Sequence, residues 1–151
     1  MISNKTKYAL QALLYLAKEY KKGSVLISDM AKDEKIPQKF LEFILLNLKN
    51  NGILTSKRGK GGGYMLARAP EKIVLGQVIR VLEGPLAPVP CVSQTAYRKC
   101  DECIDENFCG IRLVMKDVRD AMANILDNTS LADVLKRVES VSQKDIVSYI
   151  I

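Results

Sequence analysis

The chain has 151 residues, a net charge of +6, 48% hydrophobic and 26% charged residues, and a mean hydropathy of zero. This composition describes a globular domain with a real core and excludes disordered, collagen-like and membrane-spanning chains. The absence of His excludes every metal site or catalytic scheme that needs imidazole, and the absence of Trp leaves the core to aliphatics, three Phe and six Tyr.

The early apolar stretch Tyr8 to Ala17 is ten residues long, against the roughly 20 needed to cross a bilayer. It lacks a small-residue cleavage site, so the protein is expected to be cytoplasmic and to have no membrane partner. Charge is unevenly placed: residues 1–72 hold fourteen Lys/Arg and six Asp/Glu, residues 73–151 nine and eleven. A basic first half points to a polyanion-binding part, against the plainer reading of a solvated lysine-rich surface.

Residues 4–20 predict a helix with Leu10, Leu13, Leu14 and Leu16 on its apolar face and Asn4 as N-cap. Ser28 is expected to cap a short helix, Asp29 to Glu34. Pro37 suits the first turn of the next helix, which runs to about Asn50 with Phe40, Leu41, Ile44, Leu45 and Leu48 as core, and Asn51-Gly52 ends it. Two helices joined by a short turn make a helix-turn-helix. Two short strands, Ile53 to Lys57 and Tyr64 to Ala67, then flank the basic glycine-rich tip Arg58-Gly59-Lys60-Gly61-Gly62-Gly63, which reads as a wing. A phosphate-cradle reading of this tip fails, because no Gly-Lys-Ser/Thr closes it and a strand follows where a P-loop needs a helix. A small helix, Leu75 to Glu83, precedes a proline-rich loop. Apolar residues Ile111, Val114, Met115, Val118, Ala121, Met122, Ile125 and Leu126 predict a long helix whose stripe is expected to pair with the same helix of a second subunit. Thr129 or Ser130 is expected to cap a shorter helix through Val138, and the amphipathic stretch from Lys144 to Ile151 is left unassigned.

The expected fold is mainly α with a small β-hairpin wing: a winged helix-turn-helix DNA-binding domain over 1–84, a cysteine-rich sensor loop over 85–110, and a dimerisation helix with a C-terminal segment over 111–151. On the recognition helix, Gln38, Lys39 and Glu42 face outward, with Asn47 beside them. Gln pairs with adenine and Glu accepts from the cytosine amino group, whereas Lys39 and Lys49 suit phosphates. Arg58 and Lys60 on the slender wing suit a minor groove. Helix-turn-helix folds also serve as protein-interaction modules, and the basic wing favours double-stranded DNA.

Cys91, Cys100, Cys103 and Cys109 are the only cysteines and fall within nineteen residues. Such clustering points to metal or redox use. Four thiolates suit an iron–sulfur cluster; zinc ranks second because only Cys100 and Cys103 form a close pair, and a reversible disulfide third. A cysteine nucleophile lacks a histidine to activate it, and no acid–base constellation suggests an enzyme.

The segments Lys7-Tyr8-Ala9-Leu10, Phe40-Leu41-Glu42, Arg58 to Ala67, Leu75-Gly76 and Leu82-Glu83-Gly84-Pro85-Leu86, followed by the cysteine loop, closely resemble the Rrf-two family of winged helix-turn-helix transcriptional regulators, which includes an iron–sulfur regulator and a nitric-oxide sensor. The resemblance covers roughly residues 1–138. It implies a homodimer on a two-fold operator and a 2Fe–2S or 4Fe–4S cluster held by three cysteines, with Cys91, Cys103 and Cys109 matching that trio. It also places Glu42 on a cytosine and Arg58 in the minor groove. The chain departs from the pattern in several places: the stretch from Cys91 to Cys103 is longer than usual and Cys100 is extra, Arg112 stands near a histidine ligand of one branch, Lys7 replaces an aspartate, and Phe43 falls where relatives are often polar. Lys35 stands where the helix-turn-helix turn usually has Gly, so a positive φ is expected there.

Overall fold

The structure is a computed structural model and describes residues 2–150. Helix α1 (Asn4–Lys18) is capped by Ser3, whose Oγ accepts the Thr6 N–H at 3.3 Å, one residue before the expected Asn4. Its Ala9, Ala12, Leu13 and Leu16 are buried at three- and four-residue steps. Helix α2 (Ile27–Glu34) starts ahead of Ser28, behind Leu26 and without a side-chain cap, so Ser28 lies inside the helix. It ends on Lys35 at φ 56°, ψ 43°, the left-handed conformation expected of that position. From there Ile36 donates back to the Ala31 carbonyl at 3.0 Å, and its side chain is buried.

Helix α3 (Gln38–Asn50) has Pro37 at its N-cap and buries Leu41, Ile44, Leu45 and Leu48. Each such leucine contributes about 1.5–3 kcal/mol on leaving water. Phe40, expected in the core, instead lies at its rim, 37% exposed, with its ring meeting Tyr8 edge-on at 5.7 Å. Strands β1 (Leu54–Lys57) and β2 (Gly63–Leu66) pair antiparallel in the register Leu54–Leu66 to Lys57–Gly63. Val25 and Tyr64 exchange backbone hydrogen bonds of 2.8 and 2.9 Å, tying the hairpin to the loop before α2. This close approach needs Gly63, where a Cβ would stand 2.0 Å from the Val25 carbonyl oxygen.

Helix α4 (Leu75–Glu83) packs on α1 and on the long α5 (Gly110–Asp127). The final helix, α6 (Leu131–Ile150), returns to α1 and sets Leu131 fully buried in the same core as α1 and α3. Ser130 is its cap: Ser130 Oγ accepts from Asp133 N at 3.1 Å, and Ser130 N donates to Asp133 Oδ2 at 2.9 Å, a reciprocal capping box. The expected end at Val138 is corrected to Ile150, because no Gly or Pro interrupts the sequence beyond it. The stretch from Lys144 is thus helical through Ile150, and Ile151 lies outside the described residues. Among the described residues no helix is long and apolar enough to cross a membrane.

Candidate nucleic-acid interface and cysteine loop

Helix α3 divides cleanly into two faces. Leu41, Ile44, Leu45 and Leu48 hold it to the core, which turns Gln38, Lys39, Glu42, Phe43 and Leu46 outward. Asn47 is half-buried at the edge. Gln38 Nε2 donates to Glu42 Oε1 at 3.4 Å, so these two polar groups stand together one turn apart. No side chain caps the α3 N-terminus, leaving first-turn N–H groups able to meet phosphate oxygens.

The wing follows directly, since Ile53 N donates to the Leu48 carbonyl at 3.0 Å and β1 packs on α3. Its tip is closed by Gly62 N to Gly59 O at 2.9 Å and braced by Ser24 Oγ donating to Gly61 O at 2.6 Å. Arg58 and Lys60 are both exposed on it. Recognition helix and basic wing thus come from consecutive, hydrogen-bonded elements.

The cysteine loop is held mainly by short-range bonds. Cys91 sits in the one-turn helix Pro90–Val92, and Arg98 N donates to Pro90 O at 3.3 Å. Cys103 N donates to Cys100 O at 3.1 Å, folding that pair into one turn. Cys109 is the N-cap residue of α5. Tyr97 donates to Glu106 across the loop. All four thiols are free and border one cavity of about 460 Å³, together with Arg112, Glu102 and Glu106. They rim it without converging: among the described residues no three His, Cys, Asp or Glu side chains are gathered into a metal-binding group. Burial pushes the Cys103 thiol above its ordinary pKa, partly offset by Lys99. The donor chemistry fits a thiophilic metal centre, and Arg112 strengthens the fit. Its buried Nε has no hydrogen-bond partner beside these thiols, and its charge opposes that of thiolates gathered there.

The loop joins two elements already fixed to each other. Arg80 of α4 pairs with Asp127 at the far end of α5 through bonds of 2.6 and 2.9 Å. Leu75 N donates to Thr129 O, and Leu131 N to Ile73 O, both at 2.9 Å. Along α5, by contrast, Ile111, Val114, Val118 and Ile125 are 70, 58, 39 and 58% exposed. The long α6 packs chiefly on α1.

A helix-turn-helix followed at once by a basic hairpin defines a winged-helix fold, and with the family match that follows, the chain is a DNA-binding transcriptional regulator, a non-enzymatic class. The sequence model of the Rrf-two family, described as an iron-dependent transcriptional regulator, matches residues 2–137, and the chain belongs to that family. It is 42% identical over 138 residues to an Rrf-two-like HTH-type regulator of Rhodobacter capsulatus, covering 89% of this chain and 92% of the relative. CymR, the global cysteine regulator of B. subtilis, superposes with a TM-score of 0.76 at 31% identity, covering 91% of this chain and 97% of that one. IscR of T. potens gives 0.74 at 30% identity, covering 93% and 90%.

Proposed function

We propose that the protein is a homodimeric, cytoplasmic regulator that reads an operator with Gln38, Lys39, Glu42, Arg58 and Lys60 and senses iron–sulfur status or oxidative or nitrosative stress through Cys91, Cys100, Cys103 and Cys109. The observation that carries this reading is the shared cavity: four free thiols and one unpaired arginine donor surround it, and one of the four cysteines, Cys109, stands at the N-cap position of α5. When bound there, a 2Fe–2S or 4Fe–4S cluster supplies the sensitivity to oxidants or nitric oxide. The iron-dependent description of the family supports the choice of metal.

The chain's own residues supply the coupling. Cys109 opens α5, and Arg80–Asp127 holds the other end of α5 to the winged domain. Drawing Cys109 toward Cys91 and Cys103 therefore tilts α5 about an anchored end. In a dimer joined through α5, that tilt changes the separation of the two recognition helices, and half-sites one helical turn apart tolerate little error in it. A large swing in occupancy needs several kcal/mol between the two states.

The turn that folds Cys103 back onto Cys100 supports a second reading, a thiol–disulfide switch without a cluster. There hydrogen peroxide takes two electrons and two protons from the two thiols, its O–O bond breaks, the S–S bond forms, and two waters leave. Zinc held by the same thiols is the remaining metal alternative. Absorption spectra of protein purified without oxygen, with iron and acid-labile sulfide counted per monomer, separate these readings. Visible charge-transfer bands with matched iron and sulfide support the cluster. A colourless protein that refuses reconstitution overturns it; chelator sensitivity then marks zinc, and mobility on non-reducing gels marks the disulfide.

A further inference from the structure

We infer that Phe43 is a specificity-determining residue that selects thymine in the operator through the C5-methyl group. The inference rests on the DNA-binding reading of α3 and names the base chemistry one of its residues recognises. Phe43 is 60% exposed on the outward face of the recognition helix, directly beside Glu42 and one turn beyond Lys39. Its neighbour Phe40 is accounted for by its edge-on packing with Tyr8. Phe43 has no such partner among the described residues, so its ring is held toward whatever α3 docks upon.

The surroundings identify that surface. Lys39 and Lys49 lie on the same helix and Arg58 and Lys60 on the following hairpin, all exposed, which suits a polyanion and opposes an acid-poor apolar protein surface. Recognition helices read bases with their N-terminal residues, and Phe43 stands in the second turn, whereas Leu46, exposed like it, begins the third. A phenyl ring neither donates nor accepts a hydrogen bond. The major groove offers it one projecting apolar group, the thymine methyl; the purine edges present polar atoms that the ring would desolvate without pairing, and the cytosine C5–H lacks the methyl's contact surface. With Gln38 and Glu42 beside it, the face combines polar readers of adenine or cytosine with one apolar reader of thymine.

The test starts from operators selected out of random duplexes by the full-length wild-type protein. Each selected thymine is then replaced by deoxyuracil, which lacks only the methyl group. At one position in each half-site the wild type is expected to bind about fourfold more weakly, the loss of roughly one buried methylene-sized group. Phe43→Ala is expected to bind both duplexes equally, and Phe43→Leu to keep the discrimination. Phe43→Gln is expected to favour adenine at that position. Melting temperatures matching the wild type show that the variants fold. A Phe43→Ala protein that selects the same operator with the same thymine-to-uracil ratio overturns the inference while leaving DNA binding intact. A wild type whose DNA binding lacks both sequence preference and salt dependence removes the DNA-binding reading itself.

Discussion

Arg80 and Asp127 form a two-point ion pair, N···O 2.6 and 2.9 Å, that fastens the end of α5 across α4. Gly76 makes room for it: a Cβ at that position would stand 2.0 Å from Asp127 Oδ1 and 3.0 Å from an Arg80 guanidinium nitrogen. Gly76→Ala is therefore expected to displace Asp127 and break the pair, although alanine has the better helix propensity. Both side chains are more than a third exposed, so solvent screening limits the direct contribution to about 0.2–1 kcal/mol. The larger expected consequence is functional, because the end of α5 loses its side-chain clasp and keeps the backbone bonds Leu75–Thr129 and Leu131–Ile73. Gly76→Ala and Asp127→Asn should each shrink the difference in operator affinity between loaded and stripped protein. An undiminished difference in both variants would remove this pair from the coupling path.

Glu83 gathers three hydrogen bonds, from Ser3 N at 2.7 Å and from the Ser3 and Thr6 hydroxyls at 2.5 Å each. These donors favour the charged carboxylate and pull its pKa from 4.5 down to about 2. A depressed acid pKa gives stability that is fully present above the unfolded value and is lost as pH falls through the folded one. Acid unfolding of the wild type should therefore carry a contribution between about pH 4.5 and 2 that Glu83→Gln lacks. Urea midpoints taken across that window provide the measurement, and identical pH profiles for the two proteins would count against the clamp.

Lys35 holds a left-handed conformation at the end of α2. A β-carbon costs roughly 1–2 kcal/mol there, while glycine raises the entropy of the unfolded chain by up to about 1 kcal/mol. Lys35→Gly should accordingly be neutral or stabilising by up to about 1 kcal/mol, read as an unchanged or higher urea midpoint. A clear fall in the midpoint would mean that the lysine side chain contributes packing which offsets its strain.

Much of the fold was legible because local rules act alone at those places. Pro37, the Asn51-Gly52 stop and the glycine-rich tip bound α3 and the hairpin to within a residue. Phe40 was misread because spacing says which face a residue occupies and not how far the neighbouring element reaches to cover it. The length of α6 was missed because residues 136–145 carry only Val138 and Val141 as apolar residues, a stripe too sparse to mark the helix, so the absence of a breaker is the main sign of continuation. The Glu83 clamp joins residues eighty positions apart in the chain, and neither partner carries a local mark of it. At the cysteine loop the four thiols border one cavity. Their open arrangement depends on backbone turns such as Cys100–Cys103, which spacing does not encode.

The α5 stripe leads to the last expectation. Ile111, Val114, Val118, Ala121 and Ile125 recur at alternating steps of three and four residues, and all are exposed in the single chain. That spacing is the one a two-stranded helical pairing uses for its seam, and α6 packs chiefly on α1. A glutamate at the middle of the seam would be buried without a partner, a cost of several kcal/mol. Val118→Glu should therefore be monomeric by sedimentation equilibrium at concentrations where the wild type is dimeric. It should keep the wild-type helix content, since α5 remains fixed to α4 through Arg80 and Asp127. Losing the second recognition helix removes the avidity of a two-half-site operator, an expected affinity loss of about 100-fold or more, with binding to a single half-site unchanged. A wild type that binds its operator as a monomer, or a Val118→Glu protein that still dimerises, would show that α5 is not the pairing face.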